Sequence, residues 1–213
     1  MNSLIIDCSA GMSLILLKDK KEFSFIDNDA KRHSDELLLK LDELFCDSKL
    51  TINDINNICV CTGPGSFTGV RVAISICKGL AIGSNAKVFA LSNLDVYKIE
   101  NVKNSVLVLD GFSQFVYVRI FKNGIFEDKC LSFEDLKDLC SRDKFFIYVE
   151  NEKVQNKLNN IELTCIIAEK DMKNAFLNKI KNQEMIELNQ IEPLYLRASQ
   201  AEIERSKKLA GAK

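Results

Sequence analysis

Residues 62–71 read TGPGSFTGVR and join an apolar run to a long apolar segment of helical character. This stretch holds one of the two prolines and three of the nine glycines, so its backbone needs positive φ angles or a close approach to another group. Two interpretations compete. Either the loop is an anion cradle at a helix N-terminus, or it is a rigid elbow that aims the helix at a partner.

The spacing of these glycines excludes the two commonest nucleotide motifs. Neither Gly63 nor Gly65 is followed at the required distance by Gly-Lys-Ser/Thr, and the interval from Gly65 to Gly69 is one residue too long for the dinucleotide fingerprint. Free amides at the start of the helix still leave an anion or nucleotide contact open. The candidate residues for that contact are Asp7, Ser9, Gly63, Gly65 and Ser66.

Composition describes an ordinary soluble chain of one or two domains, with 213 residues, 46% hydrophobic and 28% charged. A net charge of −1 argues against a dedicated RNA-binding protein. The N-terminus lacks the basic and apolar regions of a signal peptide, and no apolar run reaches the length of a membrane span. We therefore expect a cytoplasmic protein whose eight cysteines are mostly buried thiols.

The pattern up to residue 100 predicts an α/β unit. Apolar runs at 4–6, 13–17 and 22–26 predict three strands, and a capped amphipathic helix follows from Ser34 or Asp35. A buried strand at 58–61 enters the glycine-rich loop, and the helix at 68–82 carries only two charges, Arg71 and Lys78. Because its apolar side chains cover most of the circumference, this helix must be buried on a second side by the fold or by another chain. A strand at 87–91 and a short helix from Ser92 complete the unit.

The second half repeats this pattern weakly. An apolar strand ending in Asp110 is followed by a hairpin around Asn123-Gly124, as the strand ending in Asp7 is followed by the strands at 13–17 and 22–26. Helices and strands alternate after that hairpin. We predict two α/β lobes, residues 1–100 and a smaller lobe 101–213 that ends in a helical tail.

Few residues offer catalytic chemistry. The single histidine, His33, excludes any metal site that needs two histidines. Asp7 and Asp110, at two strand ends, either hold a hydrated cation together or cap their local turns. The tail 197–213 carries five basic residues against two acidic ones and either is a solvated helix end or contacts RNA.

The sequence resembles a known family at several places. Residues 63–71 followed by Lys78-Gly79-Leu80-Ala81 resemble the signature of the bacterial TsaB (YeaZ) family of tRNA threonylcarbamoyladenosine biosynthesis proteins. Supporting matches are Asp7-Cys8-Ser9, His33-Ser34-Asp35 and the residues 193–197, PLYLR. The region from about 132 to 187 matches in pattern only.

The resemblance implies an actin-like (ASKHA, ribonuclease H-like) α/β fold of two lobes with mixed sheets. It also implies a non-catalytic scaffold: family members are paralogues of TsaD, the subunit that transfers threonylcarbamoyl to adenosine beside the tRNA anticodon. They form a heterodimer with TsaD through their first two helices, the TsaE ATPase docks on the pair, and some members form homodimers through the same surface. No metal or cofactor is expected on this chain alone, and ATP or ADP would bind only at the junction of the complex.

The resemblance and the apolar second helix together predict a partner surface on the first two helices. The candidate partner-binding residues are His33, Leu37, Leu41, Phe67, Val70, Arg71, Ala73, Ile74 and Cys77. One departure from the family is Asp110-Gly111-Phe112, where many relatives have Asp-Ala-Arg. The alternative function is an independent ATP-binding enzyme of the same fold, kinase-like or hydrolytic, with Asp7 and Asp110 around a metal-nucleotide.

Overall fold

The computed structural model describes residues 1–28, 33–99, 104–159 and 164–197, and for residues 33–35 only the backbone. The described residues form two compact units. The first comprises Met1–Lys98 and Glu169–Leu194, and the second comprises Ile99–Ala168 and the described residues after Leu194. No helix in these four ranges is both long enough and apolar enough to cross a bilayer.

A five-stranded mixed sheet forms the centre of the first unit, in the order β3-β2-β1-β4-β5. The first three strands pair antiparallel, and β4 and β5 continue parallel to β1. The elements of this unit are, in chain order, β1 (Asn2–Asp7), β2 (Met12–Lys18), β3 (Lys21–Asp27), α1 (His33–Ser48), β4 (Asn57–Cys61), α2 (Phe67–Ile82), β5 (Lys87–Leu91) and β6 (Tyr97–Lys98). Because α1 and α2 each connect strands that run in the same direction, both helices run opposite to β1, and both begin at the edge of the sheet where β1 ends.

The alternation of side chains along these strands gives the sheet two apolar faces. On one face, Leu4 and Ile6 of β1 pack with α1 and α2, which also contact each other. On the opposite face, Ile5 packs with Phe89 of β5 and with Phe176, which comes from a helix much later in the chain. The first unit therefore consists of three layers.

The second unit repeats the topology of the first. Its sheet has the order β9-β8-β7-β10-β11, with the first three strands antiparallel and the last two parallel to β7. Its elements are β7 (Asn104–Asp110), β8 (Phe115–Lys122), β9 (Ile125–Ser132), α3 (Phe133–Arg142), β10 (Phe146–Val149), α4 (Glu152–Asn159) and β11 (Ile166–Ile167). Leu136 of α3 and Val154 of α4 pack on one face of this sheet. The same order of strands in both units confirms the internal duplication that the sequence indicates.

The last described elements return to the first unit. Strand β12 (Glu169–Lys170) pairs with β6, and α5 (Met172–Lys181) packs against β5. The division therefore differs from the predicted one, in which all residues after 100 form the second lobe. The physical reason is the apolar face of the first sheet, which α5 covers with Met172 and Phe176.

Most predicted elements are present, with one difference beside the candidate site. The residues from Ser92 to Asp95 form a turn, not a short helix. In this turn the Asp95 carboxylate accepts a hydrogen bond from the backbone N–H of Ser92, and the Asp95 N–H donates to the Ser92 carbonyl. The chain then becomes extended in β6, so a helix cannot continue from Ser92.

Candidate functional site: the glycine-rich elbow and its helix pair

The loop between β4 and α2 turns the chain sharply. Gly63 has a φ of 97°, and its peptide bond to Pro64 is cis. Ser66 caps α2, since its side chain accepts a hydrogen bond from the N–H of Gly69 at 3.2 Å. Leu194 holds the loop from the other side, because its N–H donates to the carbonyl of Thr62 at 2.8 Å.

Two glycines of the loop are needed for close packing. A Cβ on Gly65 would lie 2.3 Å from the carbonyl oxygen of Ser9, and a Cβ on Gly69 would lie 2.0 Å from that of Cys8. The N–H of Ser66 donates to the same Ser9 carbonyl at 2.7 Å. The loop thus packs against the chain that follows β1, and the amides of Ser66 and Gly69 already have partners. This geometry favours the elbow over the anion cradle.

A buried polar network joins the loop to the ends of β1 and β5. Asp7 accepts hydrogen bonds from the N–H and the hydroxyl of Ser9. The side-chain amide of Asn93 donates to the hydroxyl of Ser9 and, at 3.0 Å, to the carbonyl of Pro64. Lys170 lies 3.4 Å from the second oxygen of Asp7. Of the five candidate contacts, Asp7, Ser9, Gly63 and Ser66 therefore make hydrogen bonds within the protein.

Asn93 and Lys170 were not among the residues predicted from the sequence. A signal for Asn93 was present, because it follows β5 closely and the carboxyl ends of parallel strands meet at one edge of a sheet. Lys170 had no comparable signal, since only the return of β12 and α5 brings it to Asp7.

The chemistry available at this network is limited. Asn93 is buried, and its side-chain oxygen has no hydrogen-bond partner among the described residues, so a bound water molecule could donate a hydrogen bond to it. Burial, with a smaller contribution from the charge of Asp7, raises the pKa of the Cys8 thiol to about 12, which keeps it protonated and unreactive. No group of three or more metal-ligating side chains occurs in the part of the chain that the structure describes. The hydrogen bonds of this network hold the loop against the ends of β1 and β5.

Asp110 of the second unit forms ion pairs with two lysines. Its two oxygens lie 2.7 Å and 2.5 Å from the ammonium groups of Lys153 and Lys157 on α4. Burial alone would raise the pKa of Asp110, but the hydrogen bonds and charges of these lysines outweigh it and lower the pKa below 3.8. Its carboxylate is thus already neutralised within its own unit.

The departure at Asp110-Gly111-Phe112 has a structural basis. A Cβ on Gly111 would lie 2.2 Å from the carbonyl oxygen of Phe115, so alanine does not fit this turn. An arginine is nonetheless present beside it, because the guanidinium of Arg197 lies 5.4 Å from the ring centre of Phe112 and 5.6 Å from that of Phe115. These distances are within the range of cation–π contact.

Most of the predicted partner-binding residues are buried in the core of the first unit. The buried ones are Leu37, Leu41, Val70, Ala73, Ile74 and Cys77. Their side chains form the core between the helices and the sheet, so a partner cannot contact them directly. Phe67 and Arg71 do reach the surface, where the guanidinium lies 5.9 Å from the ring centre. The side chain of His33 lies outside the described residues.

A different set of apolar residues on α1 and α2 is accessible. Leu38 and Leu39 are 58% and 56% exposed, and Ile82 is 77% exposed. Val72, Ile76 and Leu80 are half-buried at the margin of the core. We refer to these six residues as the helix-pair surface. Exposed large apolar side chains on neighbouring helices are typical of protein interaction sites.

Comparisons with known proteins match this chain to proteins of tRNA threonylcarbamoyladenosine biosynthesis. The family model described as TsaD, tRNA N6-adenosine threonylcarbamoyltransferase, matches residues 27–125, which include α1, the elbow and α2. A curated relative from Haemophilus influenzae, named tRNA threonylcarbamoyladenosine biosynthesis protein TsaB, is 32% identical over 120 residues, 54% of this chain and 51% of that protein.

The chain is thus similar to proteins of the TsaB (YeaZ) family. It spans about half the length of the first curated TsaB relatives that it matches. Two solved structures from Pseudomonas aeruginosa share its fold. YeaZ has a TM-score of 0.66 at 20% identity, and the match covers 91% of this chain and 100% of the YeaZ chain. A protein described as similar to peptidase YEAZ has a TM-score of 0.68 at 21% identity, with 92% and 99% covered. The actin-like α/β fold expected from the sequence is confirmed.

Proposed function

We propose that this chain is a non-catalytic accessory subunit in the biosynthesis of threonylcarbamoyladenosine on tRNA. It binds TsaD through the helix-pair surface, and the TsaE ATPase docks on the resulting pair. The tRNA is engaged through the complex, and any ATP or ADP binds at the junction of the complex. The protein carries out this role in the cytoplasm. The observation that carries the proposal is the apolar helix-pair surface on helices that the family model matches.

The polar residues of the described chain support an accessory role. Asp7 is held by Ser9 and Lys170, and Asp110 is held by two lysines of α4. The backbone amides of Ser66 and Gly69 in the elbow also donate hydrogen bonds within the protein. Each of these groups stabilises the fold through contacts within the protein. We therefore infer that the chain acts through recognition at its surface.

The surface is tested by charge substitution at exposed positions. Leu38→Asp and Ile82→Asp should each abolish co-purification with the cognate TsaD, because a buried unpaired carboxylate at an interface costs several kcal/mol. Ile166→Asp on β11, 53% exposed and outside both helices, is the matched control and should bind normally. Circular dichroism of each variant checks that it is folded. If folded Leu38→Asp and Ile82→Asp variants still bind TsaD, the surface is assigned wrongly.

A second experiment separates the scaffold from the independent enzyme. In a reaction with purified components, omitting this chain should abolish threonylcarbamoyladenosine formation, and adding it back should restore it. The isolated chain should neither bind ATP tightly nor hydrolyse it. Unchanged product without the chain would contradict the accessory role, and ATP turnover by the chain alone would favour the enzyme.

A further inference from the structure

The free edge of the second sheet is formed by β9. This strand is eight residues long, and its register with β8 is unbroken from Ile125 to Ser132. It contains no proline, and no other described element pairs with its outer side. Natural edge strands are commonly shortened, bulged or interrupted by proline, because a bare edge is a template for pairing with another strand.

The turn before β9 determines which backbone groups face outward. Asn123 and Gly124, with φ angles of 54° and 81°, form a two-residue hairpin turn between Lys122 and Ile125. The residues that flank such a turn form a hydrogen-bonded pair, and hydrogen bonding to the neighbouring strand then alternates along the strand. The outward N–H and C=O groups therefore belong to Phe126, Asp128, Cys130 and Ser132.

We propose that two copies of this chain associate by antiparallel pairing of β9 with β9, with a twofold axis at Asp128. In this register the outward groups of Phe126 and Cys130 bond to those of Cys130 and Phe126 in the second copy. Glu127 then lies opposite Lys129 of the second copy, and Lys129 lies opposite its Glu127. These two charge pairs occupy non-hydrogen-bonded positions, where side chains approach most closely.

The apolar residues match in the same register. Ile125, 71% exposed, lies opposite Leu131 of the second copy, and Phe126, 53% exposed, lies opposite its Cys130. Opposed side chains in paired strands point to the same face of the sheet, so these contacts extend both faces across the edge. The strand is thus complementary to itself in charge and in apolarity.

The pairing brings two like charges together only at the twofold axis, and an arginine within each copy already neutralises them. Asp128 would lie opposite Asp128 of the second copy. Arg119 of β8 holds this carboxylate with two hydrogen bonds, from Nε at 2.7 Å and from an Nη at 2.8 Å. Such a bidentate pair neutralises the carboxylate and fixes its position.

The proposal does not rest on the proposed function, and it uses a surface other than the helix-pair surface. Within one copy, Glu127 and Lys129 form an ion pair of 2.8 Å with each other and are largely exposed. Substitutions at these two positions leave the core of the second unit untouched, so they report on association and not on folding.

Charge exchange tests the register. The oligomeric state of the full chain is measured by analytical ultracentrifugation over a range of concentrations. Glu127→Lys and Lys129→Glu should each weaken self-association about tenfold or more, because each places two like-charge pairs across the edge. A mixture of the two single variants should associate, since the two lysines of one copy then lie opposite the two glutamates of the other. The double variant should associate as the unsubstituted chain does.

Two controls keep the test specific. Glu192→Lys makes the same charge change at an exposed site of the first unit and should leave association unchanged. Leu38→Asp, on the helix-pair surface, should also leave it unchanged. A monomeric unsubstituted chain, single variants that associate normally, a mixture that stays monomeric, or loss of the dimer in Leu38→Asp would each overturn the proposal.

Discussion

At the scale of single residues, the glycines of the elbow act through the space that a side chain would fill. Gly69 lies in the first turn of α2, and its Cα faces the carbonyl oxygen of Cys8. At Gly79, in the same helix, the Cβ position has no described atom within 4 Å beyond its chain neighbours and the nearby backbone of the helix itself. The two positions thus separate the packing role of glycine from its effect on helix propensity.

We expect Gly69→Ala to destabilise the protein by about 2–4 kcal/mol, because backbone atoms cannot move away from a Cβ at 2.0 Å. Gly79→Ala should instead stabilise it by up to about 1 kcal/mol, the difference in helix propensity between the two residues. Urea unfolding followed by circular dichroism measures both. Equal effects of the two substitutions would contradict the close approach of α2 to the chain after β1.

The lowered pKa of Asp110 makes part of the stability dependent on pH. A carboxyl group whose pKa is lower in the folded state contributes stability that is complete above its unfolded pKa, near 3.8, and is lost as the pH falls through the folded value. Asp110→Asn should therefore cost about 1 kcal/mol at neutral pH, after allowance for solvent screening. The difference from the unsubstituted chain should vanish once the pH is below the lowered pKa.

Urea midpoints measured from about pH 2.5 to pH 7 test this dependence. Asp138→Asn, at an exposed position of α3, makes the same chemical change and is measured alongside as the matched control. A difference between Asp110→Asn and the unsubstituted chain that grows on acidification would show that the lysines of α4 do not hold this carboxylate.

At the scale of elements, α5 shows how a helix with modest amphipathicity can be essential for a sheet. Phe176 is fully buried, and its ring centre lies 5.6 Å from that of Phe89 in an edge-to-face arrangement. Phe176→Ala should cost about 3–5 kcal/mol through lost burial and the cavity left behind. Phe146→Ala, at a half-exposed position of β10, should cost less than about 1 kcal/mol. Similar losses for the two variants, measured by urea unfolding, would contradict the packing of α5.

Sequence reasoning succeeded for elements whose periodicity is local. The strands at 4–6, 13–17 and 22–26 and the Asn123-Gly124 hairpin follow from short-range patterns, and the structure confirms each of them. The first helix is also present, but it begins at His33, before the predicted caps Ser34 and Asp35. The elbow was located for the same reason, because its glycines and proline lie together in the sequence.

The candidate site was predicted less well, since burial depends on contacts between distant segments. In a helix that is apolar on nearly all sides, such as α2, periodicity does not show which side faces the core. Val70, Ala73 and Cys77 were therefore assigned to the partner surface although they are buried. The lysines of α4 beside Asp110 were missed because the chain between them forms a whole hairpin, a helix and a strand.

At the scale of the whole molecule, the first unit is discontinuous in sequence. A chain that ends at Ala168 contains every strand of the first sheet but lacks α5. We expect this truncated chain to bind the dye ANS strongly and to lose cooperative thermal unfolding of its first unit, because one apolar face of the sheet is uncovered. A chain that ends at Arg197 should unfold cooperatively. A soluble, cooperatively unfolding chain without α5 would contradict the three-layer description.

The return of α5 also bears on how the protein is made. A ribosome delivers the polypeptide from its N-terminus, and domains generally complete their folding in that order. Here the first sheet emerges early, yet the helix that covers its second face follows only after all strands of the second sheet have been synthesised. The nascent chain therefore carries an open apolar face while the second sheet is synthesised, so during translation the strands of the later sheet are complete before the earlier sheet is covered.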